Sequence, residues 1–143
     1  MRYLILLVLI FSCQNDNDKV YNIQNGLIKK KGIYYSKDCK ITIKEFSNGS
    51  LVFGVSDKQN KLYFQQSILE AFDKNSLWCL YIDDNGSLWF FNSDYNNTDV
   101  WIKDELSTHY IKKDFCENTM ELPDEFEKFL LKKTENICIN IEQ

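Results

Sequence analysis

A chain of 143 residues is long enough for one self-sufficient domain and short for two. Its 44% hydrophobic and 27% charged residues exclude a disordered or fibrous chain, and a net charge of −4 argues against a nucleic-acid binder, which carries a basic excess. One histidine and five glycines leave little room for common catalytic machinery, whereas the aromatic share, 15%, is high.

The chain opens on Met1-Arg2 and continues with the unbroken apolar run Tyr3–Phe11. That run is well short of the ~20 residues a membrane-spanning helix needs. Ser12-Cys13 follows, and then the polar stretch Gln14–Lys19. A positive end, a short apolar core and a small residue before the cut describe a secretory signal. The segment Leu9-Ile10-Phe11-Ser12-Cys13 resembles the lipobox of bacterial lipoproteins. The resemblance is confined to residues 1–13. It implies that the Cys13 thiol receives a diacylglycerol, that the signal is cut before Cys13, and that the new amino terminus is acylated. Several acyl chains anchor a protein durably where one would be marginal. Gln14, standing where retained lipoproteins carry aspartate, points to the outer membrane, facing the periplasm or the cell surface. The expected organisation is a signal peptide over 1–12, a lipidated polar tether over 13–26, and a single domain over 27–143.

In the exported chain Cys39, Cys79, Cys116 and Cys138 remain. An even number outside the cytoplasm suggests two disulfides. A zinc site is disfavoured, because no two of these cysteines have ligand spacing and His109 is the only histidine. Three pairings are open. Cys39–Cys79 with Cys116–Cys138 is favoured because each joins neighbouring predicted elements, and free buried thiols are the alternative.

Lys29-Lys30-Lys31 forms a small basic run beside the tether, suited to anionic head groups or to a solvated turn. From Lys40 the period is two: Ile41 and Ile43 alternate with Thr42 and Lys44, Ser47-Asn48-Gly49-Ser50 signals a hairpin, and Leu51, Phe53 and Val55 continue on the return. Lys61–Gln66 reads as a third strand. Ser67-Ile68-Leu69-Glu70 matches a capping box and predicts a two-turn helix. Two strong strands follow, Leu77–Ile82 and Ser87–Phe91, joined by the turn Asp83-Asp84-Asn85-Gly86. Thr98–Lys103 and Thr108–Lys113 extend the meander. Pro123 with Asp124 and Glu125 begins a C-terminal helix whose Phe126, Phe129 and Leu130 share a face. Ile137, Ile139 and Ile141 alternate as a last edge strand. The expected class is α+β: an antiparallel sheet with a short internal helix and a C-terminal helix packed on it.

No nucleophile motif accompanies His109, the 83–87 segment lacks the spacing of a calcium loop, and neither a cofactor nor a metal is expected. Leu88 and Phe90 face one side of their strand and Trp89 and Phe91 the other, so both faces of the sheet need cover. The helix covers one; loops, a partner or a sugar are expected on the other. Within 83–105, Asp83, Asp84, Asp94, Asp99, Asp104 and Glu105 stand against Lys103 alone, in the stretch that also holds Trp89, Tyr95 and Trp101. Aromatic anchors inside a charged rim suit a protein interface with a basic partner. The expected partner-binding residues are Asp83, Asp84, Asp94, Tyr95, Asp99 and Trp101. These features favour a lipid-anchored, non-catalytic protein-binding module of the envelope, such as an immunity protein or an inhibitor of a secreted toxin or wall-degrading enzyme. The alternative is a glycan- or peptidoglycan-binding lipoprotein that stacks sugars on Trp89, Trp101 and Tyr95. An envelope hydrolase using a carboxylate pair comes third.

Overall fold

The computed structural model describes residues 19–23, 25–135 and 137–138. Eleven strands among these residues build two sheets. The first contains β1 (Val20–Asn22), β3 (Gly32–Tyr35), β4 (Lys40–Glu45), β5 (Ser50–Ser56) and β6 (Leu62–Gln65) in that order, with β7 (Phe72–Asp73) also paired to β5. The second runs β11 (Tyr110–Asp114), β10 (Asn97–Lys103), β9 (Leu88–Asn92), β8 (Trp78–Ile82) and β2 (Leu27–Ile28). All pairings are antiparallel except that of β1 with β3, which is parallel. One helix, α1 (Asp124–Leu131), follows. The α+β class is as expected, and no helix among the described residues is long and apolar enough to cross a membrane.

The period-two patterns dictate three layers. Ile41, Ile43, Leu51, Phe53 and Val55 of the first sheet face Leu80, Leu88, Phe90 and Trp101 of the second in one buried core. Phe53 sits at its centre, 5.3 Å from the Phe90 ring and 5.0 Å from Trp101, the latter edge-on. The other face of the second sheet, Cys79, Trp89, Phe91 and Val100, forms another core with Phe115, Phe126 and Leu130 beneath α1. Strand β9 is buried at every residue, which explains its unbroken apolar sequence Leu-Trp-Phe-Phe. The face expected to meet loops, a partner or a sugar is therefore covered by the first sheet.

Several expectations need correcting. The tether reading ran too far: β1 belongs to the domain, with the Ile33 amide donating to the Lys19 carbonyl at 3.0 Å. The lysine run does not form one solvated patch, since Lys29 lies 5.2 Å over the Phe129 ring and Lys31 pairs with Glu45. The predicted internal helix is a single 3-10 turn, Ile68–Glu70. Ser67 Oγ accepts from the Leu69 amide, but the Glu70 carboxylate binds Lys112 at 2.6 Å instead of closing the capping box. Ile137 and Cys138 lie in a bend, and the remainder of the predicted last strand falls outside the described residues.

Of the cysteines, Cys116 and Cys138 are bonded, with a Cα–Cα distance of 5.3 Å. Cys39 and Cys79 are free and buried, so the favoured Cys39–Cys79 bond is not formed. The reason is layering: Cys39 lies in the core between the sheets, and Cys79 points from the opposite face of β8 into the core beneath α1. Burial pushes both thiols above their ordinary pKa, so they behave as small apolar residues.

Candidate functional site

Four hairpin turns gather at one end of the sandwich: 36–39 after β3, 57–61 after β5, 83–87 after β8 and 104–109 after β10. Register fixes this gathering, because Lys40 at the start of β4 pairs with Ser56 at the end of β5 while β8 and β10 both finish where β9 begins. Between turns 36–39 and 83–87 lies an open cleft of about 530 Å³. Cys39, Ile82 and Tyr110 contribute to its lining, together with Lys37 and Asp38 from one turn and Asp83 and Asp84 from the other; Lys103 lies beside Gly86.

Local chemistry shapes each part. Ser36 N–H donates to the Cys39 carbonyl at 2.9 Å, closing the first turn, and Ser36 Oγ sits 3.2 Å from Cys39 Sγ. In the second turn one Asp83 oxygen accepts from the Asn85 and Ser87 amides at 3.0 and 2.9 Å, while the other accepts from the Trp89 indole N–H at 2.9 Å. Gly86 takes a φ of +82°, as the Asn-Gly signal predicts, in a type I turn extended by one left-handed residue. Gly26 at the cleft wall also has positive φ, and a Cβ there would stand 2.6 Å from the Ile82 carbonyl oxygen. Tyr110 donates its hydroxyl to the Gly86 carbonyl at 3.3 Å, and burial raises its pKa, so it is a neutral phenol.

Turn 104–109 stands beside this cleft. The Asp104 amide donates to the His109 carbonyl, and the Asp104 carboxylate accepts from the Leu106 amide at 3.1 Å and Ser107 Oγ at 2.8 Å. Those bonds hold the carboxyl below its ordinary pKa. They also present Leu106 at the tip, 96% exposed, next to exposed Glu105.

The six expected partner-binding residues do not share one surface. Asp83 and Asp84 are at the cleft end. Asp94 and Tyr95 sit in the turn after β9, at the opposite end of the sheet, where Asn92 Oδ1 accepts from the Asp94 amide and the Tyr95 side chain is exposed. Asp99 and Trp101 are interior. Asp99 is 9% exposed, contacts Lys112 at 3.3 Å, and has its pKa raised by burial. Trp101 stacks on Phe64, with the Lys112 ammonium 5.3 Å from its ring. Trp89 faces α1 and Trp101 faces the first sheet, so these rings and Tyr95 make no coplanar platform for a sugar.

Sequence reasoning missed the wall formed by Ser36, Lys37 and Asp38. The signal was present: a polar Ser-Lys-Asp triplet between the β-prone Ile33-Tyr34-Tyr35 and the alternating run from Lys40. Among the described residues no three His, Cys, Asp or Glu side chains converge to hold a metal ion. Set against protein-family models, curated proteins and solved structures, the chain matches none of them.

Proposed function

We propose that this chain is a lipid-anchored, non-catalytic protein-binding module of the bacterial envelope. It would mask its partner as an immunity protein or inhibitor masks a secreted toxin or wall-degrading enzyme, and it meets that partner with turns 83–87 and 104–109. The observation that carries this reading is Leu106. A leucine that is 96% exposed on a turn pinned by the hydrogen bonds of Asp104 has no role in either core. Asp84 and Glu105, both exposed, flank the same end. An apolar anchor held rigid beside carboxylates suits docking to a basic surface, with the anchor setting residence time and the charges setting encounter rate. The lipobox resemblance at residues 9–13 supports the anchored address, and the Cys116–Cys138 bond suits an oxidising compartment.

The test starts from a partner cross-linked in envelope membranes and then purified. Leu106→Ala is expected to raise the dissociation rate about tenfold, as loss of an anchor worth ~1–2 kcal/mol does. Asp84→Lys with Glu105→Lys is expected to slow association at low salt and to leave Tm unchanged, since neither side chain is buried. Unaltered binding by these variants together with weakened binding by Tyr95→Ala would move the interface to the other end of the sheet. Lipidation has its own readout: Cys13→Ser is expected to release the protein from the membrane fraction, and retention there would remove the anchor from the proposal.

A further inference from the structure

The cleft between turns 36–39 and 83–87 carries charges that its own side chains leave unanswered. One wall presents Lys37 and Asp38, the other Asp84 and Lys103. Among the described residues, none of these four side chains forms an ion pair or a side-chain hydrogen bond, whereas Glu45, Glu70 and Asp99 each hold a lysine. Apart from Asp83, whose carboxylate is committed to its own turn and to Trp89, each wall therefore offers one cation and one anion, and Cys39, Ile82 and Tyr110 are also part of the lining. The Tyr110 hydroxyl is already committed to Gly86, so these three residues ask for apolar contact and the walls ask for opposite charges. A volume of about 530 Å³ falls within the range of small-ligand sites.

A purely anionic or purely cationic ligand would face a like charge on both walls. A ligand with an ammonium group at one end, a carboxylate at the other and small apolar groups between satisfies both walls at once. We propose that this cleft binds short peptides with a free amino terminus and a free carboxyl terminus. The site shares Asp84 with the proposed partner surface, but Leu106 and Glu105 are not part of its lining, so Leu106→Ala, expected to weaken the partner and not the peptide, tells the two readings apart.

The probe is tetra-alanine with free ends, titrated into the purified, isotope-labelled full chain and followed by amide chemical shifts. Saturable shifts are expected for residues 35–39, 82–86 and 110. The same peptide acetylated and amidated is expected to bind at least about tenfold more weakly, since both of its charges are gone. Lys103→Ala and Asp84→Ala are each expected to weaken the free peptide about three- to fivefold, and Lys113→Ala on the exposed edge strand to leave it unchanged. Variant folding is checked by near-ultraviolet circular dichroism. Equal binding of free and blocked peptides, shifts that map elsewhere, or no saturation into the tens of millimolar would overturn the proposal.

Discussion

At the mouth of the cleft, Asp83 spends both carboxylate oxygens on its own turn and on Trp89, a ring only 6% exposed. Removing the carboxylate leaves a buried indole N–H without a partner and two turn amides uncapped. Asp83→Ala is therefore expected to cost about 2–3 kcal/mol, read as a lower urea midpoint. Asp83→Asn keeps one acceptor oxygen and is expected to cost roughly half as much. An unaltered midpoint in both variants would show that water replaces these bonds freely. The contrast with Asp84, exposed one position later, shows how a pair of adjacent acids divides between structure and surface. Asp99 follows Asp83: charge reversal there would break the contact of a covered carboxylate with Lys112 and so report on stability rather than on binding.

At the scale of elements, α1 belongs to a segment closed at both ends by Cys116 and Cys138, 22 residues apart in sequence. Phe126 packs on Phe115, Trp89 and Tyr81 at centroid distances of 5.8, 6.3 and 6.0 Å. Cutting the bond by Cys116→Ser with Cys138→Ser frees this loop in the unfolded chain and is expected to cost about 3 kcal/mol. Amide exchange over 124–131 is expected to accelerate most, because α1 lies inside the loop that the disulfide closes; uniform acceleration along the chain would contradict this. Strands β4, β5, β8, β9 and β10 and helix α1 were all legible in the sequence. Each has apolar residues repeating at one period, or an apolar run bounded by turn signals. Strands β1, β2, β3 and β7 were not, since two to four residues carry no period and their burial comes from distant partners. Tyr34, for instance, is buried by stacking on Tyr21 and bonding to the Lys30 carbonyl, neither of which its neighbours announce. The same limit explains the site. Turn signals revealed where Asp83 and Asp94 lie along the chain, but only the strand directions put them at opposite ends. Equally, Lys112 reaches Asp99 from the adjacent strand, a contact that composition cannot reveal.

For the whole molecule, the joints between sheets decide how it responds to acid. The chain crosses from the second sheet to the first at residues 29–31 and back again at 74–77, and Glu45 binds a lysine from each crossing, Lys31 and Lys74, at 2.5 Å. Those two hydrogen bonds hold its carboxyl at about 2, below the ordinary 4.5. A depressed folded-state pKa contributes stability that is complete above the unfolded value and is lost as pH falls from about 4.5 towards about 2. Asp99 acts in the other sense: its raised pKa makes protonation favour the folded state. Acid titration of the urea midpoint is thus expected to decline through that window, and the decline is expected to be shallower in Glu45→Gln. The effect is modest because both lysines are exposed and solvent screens their pairing with Glu45. A Glu45→Gln profile parallel to the native one would place the acid response elsewhere.

The parallel pairing of β1 with β3 also sets a direction. The chain enters beside Ile33, at the start of β3, whereas Asn22 and Tyr35 at the far ends of the same two strands border the cleft. Cys13 precedes Lys19 by about six peptide steps, which reach at most ~20 Å when fully extended. Under the proposed anchor at Cys13, the end of the domain where β1 begins would face the bilayer, and the cleft mouth and the turn bearing Leu106 would open into the aqueous space. Partners and small peptides would then approach from solvent without competing with lipid for the same surface.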